Sequence, residues 1–362
     1  MLILVLNSGS SSVKYQLYDM PKELCLAKGV VEKIGKRVPN HNVAVKLIIQ
    51  SLAKAKGGAI TCVGQIRAVG HRVVHGAERF KKSTLINRKV IKAIKQYSRL
   101  APLHNLPNLA GIYACRRLLL RSTQVAVFDT AFHQTMPDFA YLYGLPYELY
   151  KRYGIRRYGF HGMSHSYIAG QTSEVLGKPK KRLKIISCHL GNGCSINAIE
   201  GGKSLDTSMG FTPLEGLVMG TRCGDIDPAA VLYLMKKRKL SLTQADELLN
   251  KSSGLLGLSG KSNDMRDLLK LARRGNKRAN CALEVFIYRV KKYIGAYIAA
   301  MNGCDALIFT AGIGENQPYI RRKICRGLSS LIKKFKIRVL VIRTNEELMI
   351  ARDTYNIVKK EK

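Results

Sequence analysis

Apolar and polar positions along the chain alternate between the periods of strands and helices. Short apolar runs bounded by turn residues predict strands, and stretches with helical spacing separate many of them. The clearest helical pattern runs from Leu283 to Met301, and Gly303 follows as the expected C′ residue. Interleaved strands and helices indicate an α/β fold. The predicted strands are Leu2–Leu6, Val13–Tyr18, Ala68–Val74, Val125–Phe128, Lys184–His189, Ser195–Ile199, Ala306–Thr310 and Arg338–Ile342.

A strand–turn–strand layout occurs twice, about half a chain apart. Val5–Lys14 places a Ser/Gly-rich turn between two strands, and Cys188–Asn197 repeats that arrangement. Two such hairpins suggest a duplicated domain with a cleft between the copies. Gly/Ser hairpins are common, so this pattern alone leaves duplication open.

The first of these turns has chemistry that suits an anion. Its short side chains, including Ser10 and Ser12, let hydroxyls and backbone N–H groups converge on one ligand. Lys14 shares a face with Ser12, because side chains alternate along a strand, and this brings an ammonium beside the turn. A solvent-exposed serine-rich hairpin explains the same residues, and the turn by itself favours that interpretation.

The common nucleotide-binding motifs do not occur. Gly254–Ser262 resembles a P-loop, but its glycines have the wrong spacing and no convincing strand precedes it. Ile308–Asn316 instead predicts a strand that ends in a glycine-rich loop, where a backbone can approach a ligand. Near the C-terminus, Thr344 as N-cap with Glu347 three residues later predicts a capping box.

Histidines and an arginine of unusual context lie in the middle of the chain. His161 and His165 are four residues apart, which would suit zinc on a helix, but no third ligand has metal-site spacing, so a hydrogen-bonded or substrate-contacting role is favoured. Arg222 lies between glycines and precedes Asp225 and Asp227. This loop fits either an anion-binding site or a structural salt bridge.

Charge is the anomalous feature of the composition. The 362 residues include 61 Lys+Arg against 24 Asp+Glu, a formal net charge of +37. Such a balance is typical of nucleic-acid or anionic-membrane binding. The basic runs are scattered, however, Trp is absent and aromatic residues make up 7%, so specific nucleic-acid binding is disfavoured. Nine cysteines without a C-x-x-C pair indicate reduced thiols, and the lack of a long apolar run adds to the expectation of a cytoplasmic protein.

Together these segments resemble the acetate kinase family. Asn7–Lys14 and Arg157–His165 are similar to its two signature segments, and the resemblance extends from Met1 to about Tyr355. Further matches, in the family's order, are Gly70–Gly76, Phe128–Pro137, His189–Gly193, Met219–Arg222, Asp264–Arg266 and Gly312–Asn316. The chain is shorter than most members, with the loss concentrated between Leu331 and Lys336.

The resemblance implies the duplicated, two-domain α/β fold of the actin, sugar kinase and Hsp70 superfamily, which is ribonuclease H-like. It implies an N-terminal domain of residues 1–131 plus 348–362 and a nucleotide-binding domain of residues 132–347. It also implies reversible, Mg²⁺-dependent (or Mn²⁺-dependent) transfer of the γ-phosphoryl group of ATP to acetate, giving acetyl phosphate and ADP, by a homodimer. Propionate or butyrate as acceptor is the alternative, and a basic nucleic-acid-binding protein on a retired kinase scaffold is a remoter one.

The residue types suit this chemistry. A carboxylate acceptor is already ionised at pH 7, because carboxylic acids titrate near about 4, so the reaction needs no strong base. The site has to bring two anions together and stabilise charge on the transferring group, which favours cationic and hydrogen-bonding side chains.

The resemblance also implies a role for each matching residue. Arg222 and His161 would stabilise the transition state, and Asp129 would orient active-site groups or assist as an acid. Asn7 and Glu346 would position the metal. Arg72 would hold the acetate carboxylate, beside an acyl pocket lined by Val74, Leu103, Phe160 and Pro213. The nucleotide-binding residues would be Lys14, Ser10, Ser12, His189, Leu190, Gly191, Asn192, Gly193, Asp264, Met265, Arg266, Gly312, Ile313, Gly314, Glu315 and Asn316.

Overall fold

The computed structural model describes residues 1–54 and 59–361. Its strands are β1 (Leu2–Ser8), β2 (Ser12–Asp19), β3 (Leu24–Glu32), β4 (Ile66–Val73), β5 (Thr84–Leu85), β6 (Thr123–Phe128), β7 (Lys184–Leu190), β8 (Cys194–Glu200), β9 (Lys203–Thr207), β10 (Ala306–Thr310) and β11 (Arg338–Val341). Its helices are α1 (His41–Lys54), α2 (Arg88–Tyr97), α3 (Pro102–Leu118), α4 (Asp138–Tyr141), α5 (Tyr147–Tyr153), α6 (Gly162–Leu176), α7 (Pro228–Arg238), α8 (Leu242–Lys251), α9 (Gly254–Ser259), α10 (Met265–Arg273), α11 (Lys277–Ala300), α12 (Ala311–Asn316), α13 (Pro318–Arg326), α14 (Ser329–Lys334) and α15 (Glu346–Lys360).

The backbone divides into two compact units. The first comprises Met1–Gln134, Gly162–Ser164 and Asn345–Lys362, and the second comprises Thr135–His161 and His165–Thr344. The domain limits implied by the family resemblance stay a prediction.

The first unit is organised around a six-stranded sheet of order β3-β2-β1-β4-β6-β5. β1, β2 and β3 form an antiparallel meander, while β4 pairs in parallel with both β1 and β6. α15 packs on β4 at Gly70, where an added Cβ would collide with Thr354 and Ile350. A side chain at Gly70 would therefore push the C-terminal helix off the sheet.

The second unit is organised around a five-stranded sheet of order β11-β10-β7-β8-β9. β7, β8 and β9 are again an antiparallel meander, and β10 pairs in parallel with β7 and β11. The long helix α11 packs on this sheet, and the apolar positions of its predicted stripe, such as Phe286, Val290 and Ile294, are buried.

The strand order of the second sheet repeats that of the first five strands of the first. In both sheets a three-stranded antiparallel meander comes first in the chain. Two later strands then extend the sheet in parallel, beginning beside the first strand of the meander. The two Ser/Gly turns predicted from the sequence occupy equivalent places, closing the β1–β2 and β7–β8 hairpins. The topology thus resolves the duplication that the hairpins alone left open.

Local predictions differ from the structure at strand edges and helix ends. The sequence did not indicate β3, β5 or β9, because β3 is a largely exposed edge strand, β5 has two residues and β9 is mostly polar. Gly303 is not the C′ residue of α11: Asn302 takes the left-handed conformation, and the Gly303 N–H bonds to Ile298 O one position later.

The start of the C-terminal helix also differs from the prediction. Asn345, not Thr344, is the N-cap of α15, and its side-chain oxygen accepts from Leu348 N at 2.9 Å. Glu347 is therefore one position too early for a capping box. Across the described residues, none of the helices combines the length and the apolar character needed to cross a bilayer.

Candidate active site

In the first unit, an arginine and an aspartate meet at the ends of neighbouring parallel strands. Arg72 lies near the end of β4, and Asp129 directly follows β6, with its N–H bonded to Val73 O. Arg72 Nη2 donates to Asp129 Oδ2 at 3.0 Å, and the Asp129 side chain is only 2% exposed. Burial lowers the pKa of Arg72, but the carboxylates of Asp129 and Glu346 more than offset burial and raise it. The arginine is therefore held as a fixed cation.

Glu346 opens α15 beside this pair. Burial raises the pKa of the Glu346 carboxyl to about 7; the positive charge of Arg72 opposes the rise, and the negative charges of Asp129 and Glu347 add to it. Lys14 lowers this pKa more weakly. Three carboxylates thus compete for limited positive charge, and a bound cation would relieve their repulsion.

The donors at this place fit a hard divalent cation. Asn7 lies directly opposite Lys14 in the β1–β2 ladder, which puts both side chains on one face of the sheet. No group of three or more His, Cys, Asp or Glu among residues 1–54 and 59–361 is arranged to hold a metal on its own. Mg²⁺ is commonly held by one or two carboxylates with substrate phosphates and water, so one carboxylate and one amide are a suitable protein contribution.

In the second unit, His161 lies just before α6 in a backbone conformation that is uncommon for a side-chain-bearing residue. Its φ is +57°, in the left-handed region. Its Nδ1 is 2.9 Å from Ser195 Oγ, and its ring stacks on His189 with centroids 4.1 Å apart. The imidazole of His161 is therefore held by a hydrogen bond at Nδ1 and by stacking on one face of its ring.

Arg222 is a half-buried cation with no carboxylate partner among the described residues. Its Nη1 donates to Pro213 O at 3.4 Å and approaches the Met219 sulfur at 3.7 Å. Burial lowers its pKa. A half-buried guanidinium in such surroundings gains from an anionic ligand.

Arg157 shows the opposite arrangement in the same unit. It forms ion pairs with Glu215 at 2.6 Å and Asp206 at 3.7 Å. Burial lowers the pKa of Arg157, but these carboxylates outweigh that effect and raise it. Arg157 is thus a structural cation, whereas Arg222 has its charge available.

The aspartates that follow Arg222 serve the fold. Asp225 accepts from Gly216 N at 2.9 Å and from the Tyr293 hydroxyl, and Asp227 caps α7 by accepting from Ala229 N. Neither forms an ion pair with Arg222. Asp225 instead pairs with Arg289 Nη1 at 3.6 Å, so the loop does contain a structural salt bridge, with Arg289 rather than Arg222 as its cation.

His161 and Arg222 approach the same glycine. A Cβ added to Gly193 would lie 3.4 Å from Arg222 Nη1 and 3.7 Å from His161 Nε2. Because Gly193 has no side chain, this position is left for another atom that could contact both the guanidinium and the imidazole.

A cavity of about 510 Å³ lies at the carboxyl ends of β7 and β10, where open α/β sheets bind ligands. It brings together three of the predicted nucleotide-binding segments, and two further lining residues, Asn263 and Gln317, were not predicted. Both lie next to predicted motifs, so extending those motifs by one residue would have found them. Its predicted lining residues are Gly191, Asn192, Asp264, Met265, Arg266, Gly312, Ile313 and Asn316.

Several residues of the predicted nucleotide-binding set do not line this cavity. Leu190 is buried in the sheet, and Gly314 packs against backbone atoms of β10. Glu315 turns inward, where its Oε1 accepts from Ala311 N at 2.8 Å and from Thr344 N at 3.3 Å. His189 and Gly193 contact His161 instead. These residues therefore do not face the cavity.

The remaining predicted residues are distributed over both units. In the first, Val74 is buried, Lys14 and Ser10 are exposed, Ser12 is half-buried, and the side chain of Leu103 lies outside the described part of the chain. In the second, Phe160 is buried and Pro213 is half-buried.

Two repeated mixed sheets, with a cavity at the carboxyl ends of parallel strands, define the fold class of the sugar kinases and actin. A ROK hexokinase from Thermus thermophilus shares this fold, with a TM-score of 0.51 at 13% identity over 99% of this chain and 100% of that one. The chain belongs to the acetokinase family, whose model matches residues 35–335.

Individual relatives are similar over nearly their whole length. The acetate kinase of Halothermothrix orenii is 53% identical, covering 99% of this chain and 100% of that one. The crystal structure of Porphyromonas gingivalis acetate kinase gives a TM-score of 0.94 at 44% identity and 99% coverage of both chains. That of a propionate kinase from Francisella tularensis gives 0.91 at 42% identity, covering 98% of this chain and 99% of the other. The predicted family, fold class and enzyme class, a phosphotransferase with a carboxylate acceptor, are confirmed.

Proposed function

We propose that the protein catalyses reversible transfer of the γ-phosphoryl group of ATP to acetate, giving acetyl phosphate and ADP. The observation that carries this assignment is Arg222, a half-buried cation without a carboxylate partner in the described chain, beside His161 at Gly193. Charge in phosphoryl transfer spreads over the equatorial oxygens, so a guanidinium and an imidazole N–H at that place supply the required stabilisation.

The acceptor is held by the first unit. Arg72, kept as a cation by Asp129, binds the carboxylate of acetate and aligns one oxygen for attack. That oxygen forms a bond to the γ-phosphorus as the bond from phosphorus to the β–γ bridging oxygen breaks, and ADP leaves with the electron pair. No proton transfer from acetate is needed, because the acceptor is already an anion at neutral pH.

The nucleotide occupies the 510 Å³ cavity of the second unit. Gly191, Gly312 and Ile313 bring backbone against the nucleotide, and the exposed pair Asp264–Arg266 borders it. Lys14, Ser10 and Ser12 of the first hairpin contribute to binding of the phosphate chain.

Glu346 and Asn7 hold the divalent cation, Mg²⁺ or Mn²⁺. When bound, the cation neutralises charge on the β- and γ-phosphates. Glu346 would supply the carboxylate and Asn7 the amide oxygen, and the charges of Arg72 and Asp129 both act on the Glu346 carboxyl.

Acetate is the favoured acceptor because the family's pattern assigns the positions of Val74, Leu103, Phe160 and Pro213 to a small acyl pocket, and side chains of these sizes suit a methyl group. Propionate is the second candidate, since the chain is also similar to a propionate kinase from Francisella tularensis and one methylene changes binding by only about 1–3 kcal/mol.

The test of this assignment is formation of acyl hydroxamate from acetate, propionate or butyrate with MgATP and hydroxylamine. We expect the highest kcat/KM with acetate. Hydroxamate from none of the three acids would refute the assignment.

The protein acts in the cytoplasm as a homodimer. Members of the family it resembles are commonly homodimers. In addition, α7 and α8 carry apolar side chains that their own unit leaves exposed: Leu232 is 67%, Tyr233 64% and Leu242 80% exposed. A second copy of the chain would cover this face.

A further inference from the structure

A chain of four side chains leads from the interior of the second unit to His161. Ser187 Oγ is 2.9 Å from His165 Nδ1, His165 Nε2 is 2.8 Å from Ser195 Oγ, and Ser195 Oγ is 2.9 Å from His161 Nδ1. Ser187, His165 and Ser195 are fully buried, on β7, α6 and β8. Their positions are fixed by three packed elements.

Within these three hydrogen bonds, the proton count allows two arrangements while both imidazoles are neutral. The Ser195 hydroxyl has one proton and lies between two ring nitrogens, so it donates to one of them and accepts from the other. If it donates to His161 Nδ1, then His165 carries its proton on Nε2 and accepts from Ser187. In the reverse arrangement, His161 carries its proton on Nδ1, and its Nε2 is unprotonated and can act only as an acceptor.

The chemistry at the outer end selects between these arrangements. His161 Nε2 faces Gly193, together with Arg222 Nη1. The oxygens of a transferring phosphoryl group are acceptors only, so a bare Nε2 would repel them while an Nε2–H would donate to them. Arg222 supplies the positive charge at this point, so a neutral N–H on His161 is sufficient as the second donor.

We infer that Ser187, His165 and Ser195 are positioning residues that hold His161 as its Nε2–H tautomer, a neutral donor aimed at the transferred phosphoryl group. This inference rests on the proposed function of His161. The buried hydrogen bonds set which nitrogen carries the proton, and the stacked ring of His189 sets the plane of the imidazole. None of the three positioning residues touches the substrate.

The experiment combines a spectrum with kinetics. The protein is labelled with ¹⁵N-histidine, and the ring nitrogens of His161 are assigned by comparison with His161→Gln. In the unsubstituted protein we expect protonated Nε2 and unprotonated Nδ1. In Ser195→Ala we expect a mixture of tautomers, a fall in kcat of at least about 10-fold and KM values for acetate and ATP within about threefold. Ser195→Thr, which keeps the hydroxyl, should restore the Nε2–H signal and most of kcat.

Ser208→Ala is the matched control, because Ser208 is also a fully buried serine of this unit, and its hydroxyl accepts from Ile196 N at 2.9 Å outside the chain. It should leave kcat and the His161 spectrum unchanged. A proton on Nδ1 of His161 in the unsubstituted protein would overturn the inference, as would equal kcat values for Ser195→Ala and Ser208→Ala. Should Ser195→Ala fail to fold, Ser187→Ala tests the inner end of the chain by the same two readouts.

The spectrum needs no turnover, which separates the two proposals. A protein that makes no acyl phosphate yet shows the Nε2–H tautomer, lost in Ser195→Ala, contradicts the proposed function and supports the positioning chain. An active protein whose His161 carries its proton on Nδ1 supports the function and contradicts the chain.

Discussion

Arg222 Nη1 and His161 Nε2 lie close to the same point, the position that a Cβ on Gly193 would occupy. A methyl group there would contact Arg222 Nη1 at 3.4 Å and His161 Nε2 at 3.7 Å, ordinary van der Waals distances. The unit therefore tolerates a Cβ at this position. That Cβ would, however, occupy the space that a phosphoryl oxygen between the two nitrogens needs.

Gly193→Ala is expected to separate stability from activity. The fold should keep its free energy of unfolding within about 1 kcal/mol, because the added methyl meets no clash. kcat/KM for ATP should fall at least about 10-fold, because the methyl fills space that the phosphoryl group needs. Urea unfolding and steady-state kinetics measure the two quantities. Gly144→Ala, where a Cβ meets nothing within 4 Å, is the control that should change neither.

Removal of Arg222 should affect catalysis far more than stability. Arg222→Ala breaks no ion pair with any residue of 1–54 or 59–361, so its unfolding free energy should stay within about 1 kcal/mol of the starting value. kcat should fall at least about 100-fold, through loss of charge stabilisation in the transition state.

Arg157→Ala provides the contrast. It leaves Glu215 and Asp206 without their cation and should destabilise the protein by about 3 kcal/mol. An Arg222→Ala variant that loses stability like Arg157→Ala while retaining its kcat would assign Arg222 to structure.

Acid should destabilise the first unit through two buried histidines. Burial lowers the pKa of both His71 and His75 to about 4, below the value near 6.5 of an unfolded histidine. As pH falls from about 6.5 to 4, the unfolded chain binds more protons at these sites, and each costs up to about 1.4 kcal/mol of stability per pH unit. This stability is fully present above about pH 6.5.

The comparison of the unsubstituted protein with His71→Gln isolates that effect. Glu346, with its raised pKa, has the opposite pH dependence, but it is common to both proteins and cancels in the difference. Urea unfolding between pH 7.5 and 5 should show the unsubstituted protein losing stability relative to His71→Gln as pH falls. A pH-independent difference would show that His71 binds protons equally in the folded and the unfolded chain, which contradicts a lowered pKa.

Leu232→Glu tests the homodimer. An exposed apolar side chain on α7 becomes a charge, which opposes burial against a second copy. Analytical ultracentrifugation should show a dimer for the unsubstituted protein and a monomer for Leu232→Glu. Lys236→Glu, at the end of the same helix, controls for the charge change and should remain dimeric. A monomeric unsubstituted protein would contradict the proposal.

The sequence predicted most of the fold because buried strands carry dense apolar runs. All eight predicted strands are present, and the missed ones have little apolar character or few residues. The predicted C-terminal cap of α11 and N-cap of α15 each differ by one residue from the observed ones, Asn302 and Asn345. Asparagine suits both kinds of cap, and which neighbouring residue becomes the cap depends on tertiary packing.

The site was only partly predictable. Glycine-rich motifs identified most of the nucleotide cavity, because close backbone approach demands small residues. The same motifs could not reveal that Glu315 turns inward, or that Arg157 but not Arg222 pairs with a carboxylate in the described part of the chain, because such pairings arise between segments distant in sequence. The local structure explains part of the +37 charge. Basic residues occupy the last turns of α7, α13 and α14, where their positive charge interacts favourably with the helix dipole.

The most direct test of the account is where an oxygen of acetate goes. With acetate labelled with ¹⁸O in both positions, attack of the carboxylate on the γ-phosphorus places one ¹⁸O in the bridge of acetyl phosphate. The ³¹P resonance of the product should therefore show the isotope shift of one ¹⁸O–P bond, in proportion to ADP formed. ADP and unlabelled inorganic phosphate, without acetyl phosphate, would show water to be the acceptor and would contradict the account.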